Sequence, residues 1–218
     1  MEIIIFIIIA YLIGSIPFAQ IIAGAHKIDI RKVGSGNIGA TNLSRALGRK
    51  WGYFCFALDV LKGFIPVFVV SGFFPDAGDT RQLFCLIAVG IASIIGHIFP
   101  VYLKFKGGKG AATSFGVALG LWPYYTICAL VAFTVWVFVV LIWRYVSLAS
   151  IVAAVSFCIT LVVGVLIVPG WNLSSVWPLV IVSVLIPALM IFRHRENIKR
   201  LMAGTERKVG QNKENQKL

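Results

Sequence analysis

Charged residues are scarce in this sequence, and acidic residues are the scarcest. Of the 218 residues only 13% are charged, with 8 Asp and Glu against 20 Lys and Arg. Hydrophobic residues make up 59% of the chain and the mean hydropathy is +0.93, whereas a soluble domain is roughly 45–50% apolar. This composition excludes an ordinary soluble domain and predicts an integral membrane protein.

Cysteine is also rare, and its placement excludes the sites that cysteines usually build. Each cysteine lies alone within an apolar run, without the close spacing of a metal site: Cys55, Cys85, Cys128 and Cys158. We therefore expect packing residues, with no metal and no disulfide. We interpret 1–206 as a single transmembrane domain and 207–218 as a polar, disordered cytoplasmic tail, because the tail lacks apolar periodicity.

Long apolar runs fill most of the chain. A helix needs about 20 apolar residues to cross a hydrocarbon core about 30 Å thick, and an open sheet cannot satisfy its backbone in lipid. The runs that meet this length are Ile3 to Ile22, Trp51 to Gly72, Gln82 to Val101, Val146 to Val168 and Val176 to Phe192. The predicted fold class is an all-α, polytopic membrane helical bundle.

A further apolar stretch, 111–143, is too long for one crossing and too short for two ordinary ones. Short cytoplasmic loops collect Lys and Arg. If the stretch turns near Trp122 and Pro123, then Arg144, the basic tail and the two basic loops before it all face the cytoplasm. We therefore predict seven transmembrane helices, with the N-terminus outside and the C-terminus in the cytoplasm. Two basic residues are exceptions: Lys62 in the second span, and Arg81 beside Asp76 and Asp79 in an outer loop. The net charge of +12 follows from this bias and from attraction to anionic membrane lipids, so it does not indicate nucleic acid binding.

The first predicted cytoplasmic loop, GSGNIGATN at 34–42, combines glycine, hydroxyl and amide groups. Glycines let successive N–H groups point into one concavity, and a following helix adds its positive end, so the loop suits a phosphate. The loop also matches GxGxxG, but no strand precedes it as a dinucleotide fold requires. The alternative is a flexible connector. The candidate anion-binding residues are Ser35, Gly36, Asn37, Gly39, Thr41, Asn42 and Arg45.

The third loop, KFKGGKG at 104–110, places lysines among glycines in the same way. Its backbone amides and ammonium groups suit a second anion. The alternative is a set of basic side chains that snorkel at the membrane edge, most simply Lys106. The candidate binding residues are Lys104, Gly107, Gly108, Lys109 and Gly110, with His97 at the end of the preceding span.

A third polar cluster begins at Arg193. In a helix, His194 and Asn197 share one face, and an imidazole and an amide held together can bind a hydroxyl or an oxyanion. The alternative is a solvated, basic helix end. Within the spans, Asp59 and Lys62 lie on one helical face, where unpaired charges are costly. We expect them to pair with each other or with a neighbouring span as a structural brace, and we expect His97 to be either a buried hydrogen-bonding residue or part of the site.

Together these clusters resemble the bacterial acyl-phosphate:glycerol-3-phosphate acyltransferase family. The resemblance rests on SGNIGATN at 35–42 with Arg45, on 96–97 and 104–110, and on a pattern within 194–206. It implies transfer of a fatty acyl group from acyl phosphate to the 1-hydroxyl of glycerol 3-phosphate, without a cofactor, at the cytoplasmic face of the bacterial inner membrane. The product is 1-acylglycerol 3-phosphate (lysophosphatidic acid), formed with release of phosphate in the first acylation of phospholipid synthesis.

The resemblance also implies roles for individual residues. In the family's first motif the serine and arginine are essential, here Ser35 and Arg45. Glycines of the second motif shape the glycerol-phosphate site, here Gly107, Gly108 and Gly110. In the third motif His194 and Asn197 determine activity, and Glu206 is a structural brace. We assign the loop 35–42 to acyl phosphate, and Arg45, Lys104 and Lys109 with the glycine loop to glycerol phosphate. No HxxxxD motif is present, which excludes the usual dyad of soluble acyltransferases.

An acyl phosphate is already activated, so we expect no covalent acyl-enzyme. His194 is the leading candidate base, with His97 second and a substrate phosphate oxygen as the alternative proton acceptor. Small residues at Gly116, Ala118 and Gly120 suit either an acyl-chain path or helix packing. The competing functions are a transporter of a phosphorylated solute and a noncatalytic lipid-binding subunit. Transporters, however, bind their substrates near the midplane rather than at one membrane edge.

Overall fold

A computed structural model describes residues 2–73 and 80–210, and throughout these ranges the chain forms helices and turns without a strand. The chain divides into two compact units, the first ending at Ile127 and the second beginning at Cys128. Six helical segments of the described residues are long and apolar enough to cross a membrane. The predicted all-α membrane fold class is therefore confirmed.

The helices follow the predicted apolar runs closely. Those of the first unit are α1 (Glu2–Ser15), α2 (Phe18–Ala25), α3 (Ala40–Leu47), α4 (Arg49–Phe73), α5 (Thr80–Ile98) and α6 (Ala111–Gly120). Helix α7 (Tyr124–Trp143) contains the boundary between the units, and the second unit continues with α8 (Val146–Ile167), α9 (Leu173–Arg193) and α10 (Arg195–Met202). The predicted outer loop with Asp76 and Asp79 lies outside the described residues.

The first predicted span is broken into two helices. Helix α1 ends at Ser15 and α2 begins at Phe18. Pro17 lies between them and has no N–H to continue the helical hydrogen bonds. The two helices together still form one candidate span, Glu2–Ala25. The break leaves a backbone carbonyl, that of Ile16, available to a side chain from another helix.

The stretch 111–143 turns where the sequence predicts. Helix α6 ends at Gly120 and α7 begins at Tyr124, so Trp122 and Pro123 lie in the turn. Helix α6 has 10 residues and is therefore about 15 Å long, shorter than a hydrocarbon core of about 30 Å. The count of seven transmembrane helices and their orientation stay predictions.

Glycines allow the helices of the first unit to pack closely. Gly14 and Gly96 lie where α1 meets α5, and Gly63 and Gly116 lie where α4 meets α6. A Cβ atom added at any of these positions would overlap backbone atoms of the facing helix. Small residues serve this purpose in membrane proteins generally. Of the two roles left open for Gly116, the structure therefore shows helix packing.

An apolar cluster anchors the first loop on this helical frame. Ile30, Ile38 and Leu43, from the loop and α3, are buried against residues of α2 and against Cys55 of α4. Burial of apolar side chains on both sides of the glycine-rich segment fixes the path of the backbone between them. The loop is thus a packed part of the first unit.

Candidate active site

Asn42 forms the frame of the first loop. Its side chain is 1% exposed, and its Nδ2 donates to the carbonyls of Ile30 at 3.1 Å and Val33 at 2.9 Å. Its Oδ1 accepts from the backbone N–H of Ser35 at 2.9 Å. These bonds use both amide hydrogens and the amide oxygen, so Asn42 fixes the loop backbone, and its direct contact with a substrate stays a prediction.

Two glycines give the loop a curvature that side chains disfavour. Gly34 and Gly36 have φ angles of 64° and 68°, in the left-handed region that glycine enters readily. The N–H of Gly36 donates to the Val33 carbonyl at 3.0 Å. The other predicted binding residues differ in accessibility: Ser35 and Arg45 are exposed, and Asn37, Gly39 and Thr41 are half-buried.

The third loop begins with a tight turn. Pro100 O accepts from the N–H of Leu103 at 3.1 Å and of Phe105 at 3.0 Å. Lys104 and Phe105 have φ angles of 52° and 61°, which is uncommon for residues other than glycine. Lys104 is exposed at this turn. An anionic substrate in solution can therefore reach its ammonium group.

The glycines of the third loop pack against the end of α5. The N–H groups of Gly107 and Gly108 donate to the carbonyls of Ile98 and His97, each at 3.1 Å. A Cβ at Gly107 would overlap both of those carbonyl oxygens, and a Cβ at Gly108 would overlap the imidazole Nε2 of His97. Gly110, with φ 89°, ends the loop immediately before α6. The sequence therefore needs glycine at 107 and 108 because helix α5 occupies the space of a side chain.

Arg31, in the segment just before the first loop, links that part of the chain to the third loop. Its Nη2 donates to the Lys106 carbonyl at 3.2 Å. The first loop leads into α3 and the third into α6, and both helices pack on α4. The first unit thus brings two loops of glycines and cations together, each followed by a helix N-terminus that favours an anion.

Asp59 and Lys62 form a buried ion pair within α4. Asp59 Oδ1 and Lys62 Nζ are 2.6 Å apart, and the side chains are 4% and 3% exposed. Lys62 Nζ also donates at 2.9 Å to the carbonyl of Ile16, in the break between α1 and α2. The ammonium lies 5.4 Å from the centre of the Phe18 ring, within the range of a cation–π interaction. The expected pairing is present, and it ties α4 to the broken first span.

His97 links this ion pair to the third loop. Its Nδ1 lies 3.7 Å from Asp59 Oδ1 and 3.1 Å from Thr113 Oγ1. The residue is 8% exposed, and both its carbonyl and its ring contact Gly108 as described above. Of the two roles left open for His97, hydrogen bonding in a buried position is observed, and contact with substrate stays a prediction.

A small cavity lies among these groups. It is lined by the α1–α2 break, Ile38 of the first loop, the Asp59–Lys62 pair, His97 and Gly108. Its volume of about 10 Å³ is the room that one water molecule needs. The cavity therefore adjoins both loops, but it is too small for either substrate.

In the second unit, His194 occupies the joint between α9 and α10. Its backbone carbonyl accepts from the N–H groups of Asn197 and Ile198 at 2.8 and 2.9 Å, and its ring is buried. The ring Nδ1 lies 2.8 Å from the Met190 carbonyl. Since a carbonyl only accepts, Nδ1 carries a proton, and Nε2 is the basic nitrogen of the neutral ring. This tautomer suits a general base acting through Nε2.

Glu206 braces this joint through three side chains. Its Oε1 accepts from Asn197 Nδ2 at 2.7 Å and from Ser147 Oγ at 2.9 Å, and its Oε2 accepts from Arg200 Nε at 2.7 Å. Burial alone would raise the pKa of Glu206, but the hydrogen bonds from Arg200, Asn197 and Ser147 outweigh burial and lower the pKa below its usual value. The carboxylate is therefore ionised at neutral pH, and it holds α10 against the start of α8.

The segment after Glu206 continues along the second unit. Val209 N–H donates to the Arg144 carbonyl at 2.7 Å, and Arg144 Nη2 donates to the Val209 carbonyl at 2.8 Å. Lys208 Nζ lies 5.5 Å from the centre of the Tyr145 ring. Residues 211–218 of the tail predicted to be disordered lie outside the described residues, and the division into a domain and a tail stays a prediction.

The structure gathers the predicted residues into two groups. The first and third loops, with His97, Asp59 and Lys62, meet in the first unit, whereas His194, Asn197 and Glu206 meet in the second. Their joint action on one substrate pair stays a prediction. Sequence reasoning missed Thr113, Ser147 and the Ile16 carbonyl. A signal existed for the Ile16 carbonyl, because Pro17 follows it and interrupts the helix, but sequence spacing does not indicate the partners of Thr113 and Ser147.

Comparison with known proteins connects both groups to one family. Residues 4–204 match a family model described as glycerol-3-phosphate acyltransferase. The chain is 45% identical over 201 residues to the glycerol-3-phosphate acyltransferase of Aquifex aeolicus, covering 92% of this chain and 95% of the relative. It is 43% identical over 212 residues to that of Staphylococcus aureus, with coverages of 96% and 98%.

Solved structures show the same similarity. The chain resembles the crystal structure of PlsY, an integral membrane glycerol 3-phosphate acyltransferase, in its glycerol 3-phosphate form, with 42% identity and a TM-score of 0.82 over 96% of both chains. For the lysophosphatidic acid form of PlsY the identity is 41% and the TM-score is 0.80, again over 96% of both chains.

Proposed function

Since this chain belongs to the glycerol-3-phosphate acyltransferase family and is therefore a membrane acyltransferase, we propose that its donor is an acyl phosphate and its product 1-acylglycerol 3-phosphate. The observation that carries this proposal is the adjacency of the two glycine-and-cation loops, where Arg31, just before the first loop, donates to the Lys106 carbonyl. Two neighbouring anion sites suit two phosphorylated substrates. The basic loops support a site on the inner face of the bacterial cytoplasmic membrane.

The two substrates divide between the loops in this proposal. The loop 35–42 and the N-terminus of α3 bind the phosphate of the donor, for which the glycines at 34 and 36 supply the required curvature. Exposed Arg45 and Lys104, with Lys109 and the loop 107–110, bind glycerol 3-phosphate. Guanidinium and ammonium groups bind phosphate oxygens through charge-assisted hydrogen bonds.

The chemical step requires orientation more than a protein nucleophile. The acceptor hydroxyl oxygen attacks the acyl carbonyl carbon, a new C–O bond forms, and the bond from that carbon to the phosphate oxygen breaks. In the proposal, His194 Nε2 takes the hydroxyl proton, and Asn197, fixed by Glu206, stabilises the oxyanion. The alternative route sends the proton to a phosphate oxygen of the donor.

An acylation assay tests the function. Detergent-purified protein is supplied with acyl phosphate and glycerol 3-phosphate, and product and released phosphate are measured, with acyl coenzyme A in place of acyl phosphate as a control for donor class. We expect one phosphate released for each 1-acylglycerol 3-phosphate formed. Turnover with acyl coenzyme A alone would overturn the donor assignment, and uptake of glycerol 3-phosphate into proteoliposomes without acylation would indicate a transporter.

A variant at His194 tests the proton route in the same assay. His194→Ala should lower turnover by about 10²–10⁴-fold if Nε2 is the base. Near-normal turnover would instead indicate transfer of the proton to the donor phosphate.

A further inference from the structure

The buried ion pair of α4 has no role in the chemistry proposed above, yet it carries a cost. Asp59 and Lys62 lie within a membrane-spanning helix and are almost fully buried. Charges at such positions are expensive even when paired, and apolar residues of similar volume commonly replace a buried pair without loss of stability. A contribution to stability alone is therefore a weak reason for having two charges here.

The contacts of the pair run to the third loop. Asp59 Oδ1 lies 3.7 Å from Nδ1 of His97. The same nitrogen lies 3.1 Å from Thr113 Oγ1. The His97 ring then fills the space beside Gly108, and the His97 carbonyl accepts from the Gly108 N–H at 3.1 Å. A change in the position of His97 therefore moves Gly108 directly.

Lys62, the other member of the pair, contacts the first span. Lys62 donates to the Ile16 carbonyl at 2.9 Å, so α4 is attached to the break in the first span. The small cavity adjoining Asp59, His97 and Gly108 leaves room for the ring to shift if the charge that faces it is removed. The ion pair thus holds one side of His97, and the glycine loop packs against the other side.

We propose that Asp59 and Lys62 are positioning residues for the acceptor site: through His97 they set the loop 107–110 that binds glycerol 3-phosphate. The inference rests on the proposed function, because that function assigns the loop to the acceptor. Loss of the pair should weaken binding of glycerol 3-phosphate in the ground state and the transition state alike, which raises its KM and leaves kcat nearly unchanged. The KM for acyl phosphate should not change, because the first loop is framed separately by Asn42.

The principal test is the double variant Asp59→Leu/Lys62→Met. It removes both charges together, so no unpaired charge is left buried, and thermal unfolding in detergent should stay close to that of the wild type. We expect the KM for glycerol 3-phosphate to rise about threefold to tenfold, the effect of one hydrogen bond, while the KM for acyl phosphate and kcat change little. A loss of folded protein alone would lower the maximal rate and leave both KM values unchanged.

A second variant keeps the test decisive if the double variant does not fold. Thr113→Val removes the hydroxyl at His97 Nδ1 without changing charge or much volume, and it should raise the same KM about threefold. Ser93→Ala is the matched control, because Ser93 is a fully buried hydroxyl of α5 that bonds to Val89 in its own helix at 3.3 Å. All kinetic constants should be unchanged in this control.

Direct binding of radiolabelled glycerol 3-phosphate separates failure of the inference from failure of the function. Unchanged acceptor affinity and KM in folded variants would overturn the positioning role while the acylation assay still supports the enzyme. Equal increases in both KM values would also overturn it, since the effect would not be specific to the acceptor loop. If the wild type failed to use acyl phosphate, the donor assignment would fall, and weaker acceptor binding by the variants would still support the inference.

Discussion

Asp59 in the first unit and Glu206 in the second are both buried carboxylates, with side chains 4% exposed in each case, but their surroundings differ. Asp59 lies in a membrane-spanning helix and has a full opposite charge, Lys62, at 2.6 Å. Glu206 lies after α10, outside the spans, and accepts hydrogen bonds from Arg200, Asn197 and Ser147. The carboxylate within a span is thus paired with an ammonium group that is itself 3% exposed, with Nδ1 of His97 3.7 Å away. The carboxylate outside the spans is paired with a guanidinium group that is 38% exposed and accepts from two neutral donors.

The largest effect should follow from removing the ammonium group alone. Lys62→Met leaves Asp59 buried without its counter-charge, and we expect it to lower the free energy of unfolding by about 3–5 kcal/mol. Thermal unfolding in detergent measures this. The control is the double variant Asp59→Leu/Lys62→Met, and equal stability of the single and double variants would show that Asp59 does not depend on Lys62.

A smaller loss is expected at the second carboxylate. Glu206→Gln removes the charge and replaces one acceptor oxygen with an NH2 group, which cannot accept from the donors around it. The loss should cost about 1.5–3 kcal/mol, the contribution of a hydrogen bond to a charged group. Glu196→Gln is the matched control, because Glu196 lies in α10 and its side chain is 59% exposed. A loss as large as that of Lys62→Met would contradict the difference between the two sites.

The stabilisation by Glu206 should also depend on pH. Its pKa is lowered in the folded protein, so the unfolded chain, with the usual pKa of 4.5, binds the proton first as the pH falls. The stabilisation is complete above 4.5 and is lost as the pH falls through the lower, folded pKa. Unfolding midpoints of the wild type and Glu206→Gln should therefore converge below about pH 4.5, and a constant difference down to acid pH would contradict this.

An exposed carboxylate gives the smallest effect and serves as the reference. Asp29 lies 3.7 Å from Lys32, with the two side chains 53% and 84% exposed. Lys32→Ala should change the free energy of unfolding by less than about 1 kcal/mol, as exposed ion pairs usually do. A larger change, measured by the same unfolding assay, would mean that exposure does not explain the order of the three sites.

The helices were largely predictable because each depends on length and hydropathy alone. The sequence predicts a span from Trp51 to Gly72, and α4 runs Arg49–Phe73; it predicts Val146 to Val168, and α8 runs Val146–Ile167. The break at Pro17 was missed, since one proline hardly changes the mean hydropathy of a long apolar run. The turn after the short α6 was predicted, because the placement of basic residues requires the stretch 111–143 to turn back and Pro123 offers the break; α6 accordingly ends at Gly120.

The site was predictable in residue type and less so in residue role. Glycine, amide and hydroxyl groups in the first loop indicate an anion, but the amide of Asn42 suits a phosphate and a backbone carbonyl equally well. Only the folded path, which turns the carbonyls of Ile30 and Val33 towards it, shows that Asn42 frames the loop. The contact of Ser147 with Glu206 joins positions 59 residues apart, a separation across which sequence spacing carries no information.

The spacing of Asp59 and Lys62 has a consequence for biogenesis. Because the two residues are three positions apart on one helix, their attraction requires only that α4 be helical. A newly made span can therefore enter the lipid with its two charges already neutralising each other, at a lower cost than either charge would impose alone. The contacts with Ile16 and His97 require neighbouring helices, whereas the pair itself does not, so one segment carries both charges of the first unit's polar centre into the membrane.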